Sequence, residues 1–190
     1  MTVKLEGSDI IYEKVCGNFL LARLNVRGIF ERSVVWISRF SREEGAHGLI
    51  LNAPMGKMLG ECSPTFAGTP FARIPMHIGG PVDEMRLSVL ASVKNLITGD
   101  RMLQLGLPPD RIRDLINDTS ARLFAFAGSA AWAPKQLEDE LAAGTWLVVR
   151  ADFAAWENDS GRGLWETLLK NNKKLEAQLM LRAPRRLDEN

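Results

Sequence analysis

Short, continuous apolar runs with no helical spacing dominate the first half of the chain. They occupy residues 17–22, 33–40, 47–52 and 74–78, and β-branched or aromatic side chains are frequent among them. Runs of this length and composition are typical of buried strands. Because only a short polar connection separates 33–40 from 47–52, we predict that these two strands pair as an antiparallel hairpin.

The middle of the chain carries weaker patterns. Residues 55–72 contain three glycines and two prolines, which predicts loops with at most one short helix. Residues 86–93 have a mixed period that favours a strand, with a helix as the alternative. Residues 100–107 and 110–116 are predicted as two short helices, with Asp110 as the N-cap of the second.

Stronger patterns return in the second half. Residues 121–127 form an apolar run that predicts a central strand ending at the following glycine. Pro134 suits the first turn of a helix that opens near Trp132, and Gly144 is expected just past the end of that helix. Residues 145–149 predict the last strand.

Helical spacing is clearest near the C-terminus, where apolar residues from Leu164 to Leu179 fit one side of a long helix. Strands early and helices late favour an α+β fold over a doubly wound sheet. We therefore predict a single domain over residues 1–190, with a twisted, mixed or antiparallel β-sheet core, flanking helices and a long C-terminal helix. Both ends, residues 1–16 and 182–190, are expected to be loosely ordered.

Composition narrows the functional classes. The 190 residues are 46% hydrophobic and 25% charged, and a chain of this size buries roughly 70% of its unfolded surface. A formal net charge of +1 provides no global field, so direct binding to nucleic acid or to an anionic membrane is not expected. The chain has two cysteines and neither an apolar leader nor a membrane-length apolar stretch. These features predict a cytoplasmic protein.

The sequence lacks the motifs of several common catalytic sites. We find no phosphate-binding loop, dinucleotide fingerprint, zincin helix or nucleophile elbow. The two histidines, His47 and His77, stand near glycines and face either a cleft or, as is commoner outside motifs, the half-exposed end of a strand. Their spacing from Cys62 matches no zinc pattern. We therefore assign no catalytic residue, no metal ligand and no cofactor.

Two glycine-containing segments provide a candidate site instead. Residues 77–81 and 128–136, with Asn52 nearby, combine glycines that let a backbone approach a ligand with a helix start that offers free N–H groups. The candidate ligand-binding residues are Asn52, His77, Gly79, Gly80, Trp132 and Gln136. A tightly packed turn has the same features, and this alternative stays open. Either way, Gly79 or Gly80 is predicted to have a positive φ ahead of Pro81.

Four segments along the chain together form a recognisable signature. They are F-L-L-A at 19–22, F-E-R-S-V-V-W-I at 30–37 followed by G-A-H-G-L-I-L-N-A-P at 45–54, H-I-G-G-P-V at 77–82, and F-A-G-S-A-A-W-A-P-K-Q-L-E-D-E-L-A-A-G-T-W-L at 126–147. These segments resemble the YqgE/AlgH proteins, a bacterial family mostly described as uncharacterised or as candidate transcriptional regulators. The resemblance implies an α+β domain and a cytoplasmic bacterial protein, and it implies no established catalytic residue.

Three positions depart from the family pattern. Ser129 stands where the family usually has an aromatic residue, and Ala131 and Lys135 stand where it favours glycine. If the family has a common ligand at that turn, this member is expected to bind it differently or not at all.

These observations leave hypotheses from different functional classes. The absent catalytic motifs and the resemblance favour a non-enzymatic regulatory or protein-interaction module. The alternative is a small-ligand-binding protein or an enzyme with its site at the Gly79-Gly80-Pro81 turn. A pocket beside that turn would favour a ligand, whereas a flat apolar patch would favour a protein partner. Direct DNA binding is the weakest hypothesis, because no helix-turn-helix pattern is present.

Overall fold

A computed structural model describes residues 9–173 and 175–182 of the chain. The strands are β1 (Phe19–Ala22), β2 (Val34–Ser41), β3 (Gly45–Ile50), β4 (Pro54–Met58), β5 (Pro75–Ile78), β6 (Val82–Lys94), β7 (Arg101–Leu105), β8 (Ala121–Trp132) and β9 (Trp146–Val149). The α-helices are α1 (Asp9–Val15), α2 (Leu59–Cys62), α3 (Pro109–Ile116), α4 (Gln136–Ala142), α5 (Phe153–Asn158), α6 (Gly163–Asn171) and α7 (Leu175–Arg182).

The described strands form one mixed sheet, which confirms the α+β fold. Seven of them follow the order β4-β5-β8-β3-β2-β1-β9, and the β6–β7 hairpin is added beside β8. Strand β8 connects the two halves of the sheet, because it pairs with β5 and β6 in its first part and with β3 through residues 130–132. Only the β5–β8 pair is parallel among the described strands.

The predicted hairpin is confirmed, since β2 and β3 pair antiparallel with Trp36 opposite Leu49. Trp36 and Leu49 belong to a core beneath α5, α6 and α7. Their neighbours Val35 and Ile50 point to the opposite face, into a second core that includes residues of α1 and α4. A strand buried on both faces reads as a continuous apolar run, which explains the uninterrupted pattern of these segments.

The prediction of a helix over residues 100–107 is wrong, because residues 101–105 form β7. This strand pairs along β6, and its Leu103 and Leu105 pack against the first core. Pairing with a neighbouring strand overrides the local preference of such a short segment. The strand favoured for residues 86–93 is confirmed as part of β6. The loop prediction for 55–72 misses β4, which is exposed and held by backbone pairing with β5.

Helix starts differ from the predictions. Helix α3 begins at Pro109, with Pro108 at the cap position, so Asp110 lies inside the first turn. Helix α4 does not open at Pro134, because β8 continues to Trp132 and the helix begins only after Lys135, whose φ is 70°. The position of Gly144 just past α4 is confirmed.

The predicted long C-terminal helix is wrong: the region from Leu164 to Leu179 is divided between two helices, α6 and α7. Helix α6 ends at Asn171, and Asn172 has an extended backbone with φ −91° and ψ 120°. Two consecutive asparagines are poor helix formers, and the break lets α7 fold back onto α6. No helix in the described ranges has the combination of length and apolar character that a membrane crossing requires.

Part of the N-terminal end differs from the loose order expected for residues 1–16. Residues 9–15 form α1, and the side chain of Val15 is buried in the second core. The remaining parts of the two ends predicted to be loosely ordered are residues 1–8 and 183–190, and they lie outside the described residues. Cys16 and Arg182 are described.

Candidate functional site

Gly79 and Gly80 carry the chain from β5 to β6 directly across the backbone of β8. The Gly79 N–H donates to the Ala127 carbonyl at 2.7 Å, and the Gly79 carbonyl accepts from Ile50 N–H at 2.9 Å. Gly80 has a φ of 149°, which confirms the predicted positive φ. A Cβ atom at either glycine would collide with backbone atoms of residues 128–130. Close packing of backbone on backbone therefore accounts for both glycines.

His77 is a core residue. Its side chain is 1% exposed, and its ring lies 5.6 Å from the Phe124 ring and 5.3 Å from the Phe126 ring. Neither imidazole nitrogen has a hydrogen-bond partner among the described residues. Burial lowers the pKa of His77 to about 4, although the Pro75 backbone acts in the opposite direction. The ring is therefore uncharged at neutral pH and lies away from solvent.

Trp132 and Gln136 lie around the carboxylate of Glu140. The indole N–H groups of Trp132 and Trp146 donate to Glu140 Oε2 at 2.9 and 2.7 Å, and Gln136 Nε2 donates to Oε1 at 2.9 Å. These bonds fix α4 against the ends of β8 and β9. The ring of Trp132 is buried by this packing, so it offers little open flat surface.

Asn52 braces the segment that enters β2. Its Oδ1 accepts from the Val34 N–H at 2.7 Å, and its Nδ2 donates to the Arg32 carbonyl at 2.9 Å. The side chain is 7% exposed. Both polar ends of the carboxamide are thus used within the fold.

The substitution Asn52→Ala is expected to lower the free energy of unfolding by about 2 kcal/mol, because it leaves the buried Val34 N–H without an acceptor. Chemical denaturation measures this change. Asn158 is exposed at the end of α5, so Asn158→Ala serves as a control with an expected change within about 0.5 kcal/mol. Equal stability losses in the two variants would contradict a bracing role for Asn52.

The six predicted residues therefore do not converge. Gly79 and Gly80 lie on β8, His77 is in the first core, Trp132 and Gln136 surround Glu140, and Asn52 bonds to residues 32–34.

A cleft of about 590 Å³ lies beside the glycine turn, and Val82, the residue after Pro81, is one of its lining residues. We call it the bulge cleft. Strands β2, β3, β6, β7 and β8 all contribute to its walls. The residues that matter below are Trp36, Ser38, Arg39, His47, Asp83, Arg86, Leu103, Leu105 and Ser129.

An irregularity in β2 brings polar side chains to this cleft. Ile37 lies opposite Gly48 and Arg39 lies opposite His47, so that Ser38 is an extra residue in the ladder. Strict alternation would place Arg39 on the same face as Ile37, in the second core. The bulge instead turns Arg39 to the face of His47, and bulges are frequent beside functional sites.

A second irregularity shapes the opposite wall. Between the pairs Val82–Ser129 and Leu87–Ala127, strand β6 has four residues where β8 has one, Gly128. Gly128 has a φ of 69° and Asp83 a φ of 51°. The β6 segment consequently bulges out of the ladder and contributes Asp83 and Arg86 to the cleft. Non-glycine residues with such a φ are uncommon and often mark functional sites.

Ser38 determines which nitrogen of His47 carries the proton. The Ser38 Oγ lies 2.9 Å from His47 Nδ1 and donates to the His47 carbonyl at 3.0 Å. The hydroxyl has one proton and a carbonyl only accepts, so both contacts are satisfied when Nδ1–H donates to Oγ. The Nε2 atom is then a hydrogen-bond acceptor. Burial, followed by the charges of Arg39 and Arg86, lowers the pKa of His47 and favours this neutral form.

Arg39 and Arg86 form no ion pair with any carboxylate of the described residues. Both arginines line the cleft together with His47, and the charge of each lowers the pKa of that imidazole. The Trp36 ring also lines it, and its buried Nε1 has no hydrogen-bond partner in the described part of the chain. The cleft thus combines two cations, the carboxylate of Asp83, an indole ring and a neutral histidine.

Two larger clefts have mixed charge. In one, of about 810 Å³, Arg101 already pairs with Glu157 at 2.8 Å, and Asp100 and Asp152 share the walls. In the other, of about 860 Å³, Glu31 and Glu166 lie alongside two arginines. The bulge cleft differs in that two arginines face the single carboxylate of Asp83 and form no ion pair within the described residues.

The sequence analysis missed Ser38, Arg39 and Arg86. The only available signal was the interruption of the apolar run in β2 by two polar residues. His47 was given two alternatives there, and the structure places it half-buried in the bulge cleft.

Comparison with known proteins gives consistent results. A family model described as AlgH-like matches residues 19–175. A UPF0301 protein of Ruegeria pomeroyi is 32% identical over 152 residues, covering 74% of this chain and 82% of that protein. A UPF0301 protein of Myxococcus xanthus is 33% identical over 150 residues, covering 74% and 81%.

Two solved structures share the fold. The solution structure of the AlgH protein from Pseudomonas aeruginosa has a TM-score of 0.64 at 22% identity, covering 98% of this chain and 100% of that one. Protein DIP2367 from Corynebacterium diphtheriae has a TM-score of 0.63 at 22% identity, covering 87% and 91%. Because the family model matches residues 19–175, most of its length, this chain belongs to the AlgH-like family.

Proposed function

We propose that this protein binds a small ligand with an anionic group in the bulge cleft. The observation that carries the proposal is that two arginines, Arg39 and Arg86, line the same cleft as His47 and form no ion pair with a carboxylate of the described residues. Guanidinium groups bind carboxylates and phosphates through paired hydrogen bonds. The bulges described above direct both arginines to one cleft.

The remaining walls suit the rest of a small molecule. Leu103, Leu105 and the ring of Trp36 provide apolar surface, and Ser129 adds a hydroxyl group. The volume of about 590 Å³ lies within the usual range for small-molecule sites, roughly 300–1,000 Å³. The position beside the Gly79-Gly80-Pro81 turn matches the ligand alternative of the sequence analysis, although the lining residues differ from the six predicted there.

Arginine substitutions test the proposal. Titration calorimetry with phenyl phosphate, phenyl sulfate and phenylacetate is expected to detect binding of at least one of these anions. Arg39→Gln and Arg86→Gln should each weaken that binding about 10-fold, since each removes a charge-assisted hydrogen bond. Arg111 is exposed on α3 outside the cleft, so Arg111→Gln is the matched control and should bind as wild type. Binding that is unchanged in both cleft variants would refute the site.

A regulatory or protein-interaction role is the second candidate. The observation that favours it is a pair of adjacent exposed apolar side chains in the turn of the β6–β7 hairpin, with Ile97 95% exposed and Leu96 85% exposed. Exposed apolar clusters of this kind are typical of interaction surfaces. The β6 strand also contributes Arg86 to the bulge cleft, so a bound ligand could change how the hairpin is presented to a partner.

A double variant separates this role from ligand binding. Leu96→Ser with Ile97→Ser is expected to abolish a specific cross-link formed by the wild type in cells, while anion binding in the cleft stays unchanged. A cross-link that persists in the double variant would exclude the hairpin as the interaction surface. A cytoplasmic location is part of the proposal, and two exposed free cysteines, Cys16 and Cys62, support it.

A further inference from the structure

We propose that the anionic group bound in the bulge cleft is a phosphate that retains one proton, presented by a small phosphate monoester. This inference rests on the proposed anion site and names its ligand class. The observation behind it is that the cleft contains hydrogen-bond acceptors as well as cations.

His47 is the first acceptor. The Ser38 hydroxyl holds the proton of the ring on Nδ1, which leaves the Nε2 lone pair without a partner among the described residues. A fully ionised oxyanion has only acceptors, so its oxygen would face that lone pair unfavourably. An oxyanion with one O–H group can donate to Nε2 and accept from the arginines at the same time.

Asp83 is the second acceptor. It lines the cleft on the β6 wall opposite His47 and Arg39, and it forms no ion pair within the described residues. Its carboxylate would repel a sulfate or a carboxylate ligand, whereas it can accept a hydrogen bond from a P–OH group. A singly protonated phosphate has one P–OH proton, so His47 Nε2 and Asp83 are alternative acceptors for it and are not satisfied at once. The cleft therefore discriminates by protonation as well as by charge.

The size of the cleft indicates an organic ester. A phosphate group by itself would leave most of the volume of about 590 Å³ unfilled. Trp36, Leu103 and Leu105 form an apolar wall that suits a hydrocarbon or ring attached to the phosphate.

Phenyl phosphate and phenyl sulfate form a matched pair for the test. At about pH 5.5, below the second phosphate pKa of about 6, phenyl phosphate is mostly a monoanion with one P–OH group. Phenyl sulfate has the same charge, ring and tetrahedral shape but no acidic proton. Wild type is expected to bind phenyl phosphate at least about 10-fold more tightly, the effect of one charge-assisted hydrogen bond.

Two variants locate the source of this preference. His47→Phe keeps a ring and the backbone carbonyl that binds Ser38, and it removes the acceptor. Asp83→Asn is compatible with the φ of 51°, because asparagine tolerates this conformation. Each single variant leaves one acceptor for the P–OH proton, whereas the double variant His47→Phe with Asp83→Asn leaves neither. The double variant should reduce the preference to about 3-fold or less while the affinity for phenyl sulfate does not fall. Melting curves check that the variants are folded.

The outcomes separate this inference from the anion site itself. Equal affinities of wild type for the two esters, weakened together by Arg39→Gln, would refute the phosphate assignment and leave the anion site intact. A preference that survives in the double variant His47→Phe with Asp83→Asn would also refute it. If neither ester binds, the phosphate assignment fails, and the phenylacetate titration alone decides whether the cleft binds anions.

Discussion

Gly80→Ala is expected to lower the free energy of unfolding by more than about 3 kcal/mol, a large fraction of the stability of an ordinary domain. Two costs add at this position. The φ of 149° is a conformation that residues with a side chain rarely adopt. The new Cβ would also overlap the carbonyl group of Ser129 in β8. The turn is held in place by the hydrogen bonds of Gly79 with Ala127 and Ile50, so moving it away from β8 strains these bonds.

Alanine substitutions at two other glycines measure these two costs separately. Gly79 has no positive φ, yet a Cβ there would overlap the Gly128 carbonyl, so Gly79→Ala reports the collision alone. Gly56 has a φ of 67° with open space around it, so Gly56→Ala reports the conformational cost alone, about 1–2 kcal/mol. Urea denaturation of the three variants measures the series. A Gly80→Ala protein as stable as Gly56→Ala would contradict the close packing of the turn on β8.

The stability of the wild-type protein is expected to fall by about 3 kcal/mol between neutral pH and about pH 4 because of His77 alone. The pKa of this imidazole is 6.5 in its ordinary state and about 4 in the folded protein. As the pH falls below 6.5, the unfolded chain therefore binds a proton before the folded chain does. The stabilising contribution is complete above pH 6.5 and is lost progressively toward pH 4.

His77→Phe isolates this contribution. Phenylalanine keeps the ring volume between Phe124 and Phe126 and removes the titratable group. Wild type and variant retain the same other titratable residues, including His47, so the difference between their pH profiles reports His77. The variant should lose markedly less stability from neutral to acidic pH in urea denaturation. Parallel profiles of the two proteins would show that the buried ring does not resist protonation.

The strands of the hairpin core could be predicted from sequence because a strand buried on both faces has a continuous run of apolar residues. Trp36 and Leu49 pack in one core, and Val35 and Ile50 pack in the other. Each of these four positions must therefore be apolar. The positive φ of Gly80 was predictable for a similar reason, since two glycines before a proline indicate a sharp change of direction. These features depend on neighbours in the chain.

Other elements depend on partners that are distant in sequence. Residues 101–105 are a strand because β6 provides hydrogen-bond partners along its length. Helix α4 begins late because β3 extends β8 to Trp132 through cross-strand pairing. Neither partner is visible from the local pattern, so propensity alone assigned the wrong element or boundary.

The candidate site also combines features that the sequence predicts with features that depend on the tertiary structure. By itself, the sequence determined the family resemblance, the α+β class, the buried strands and the glycine turn, because each of these features depends on residues that are close together in the sequence. Only the tertiary structure decided that Asn52, His77 and Trp132 are used within the fold, and that Arg39, His47 and Arg86 meet in a cleft. A bulge that adds one residue to β2 turns the side chain of Arg39 to the opposite face of the sheet. The register of a β-ladder depends on both paired strands, so it cannot be predicted from the sequence of either strand alone.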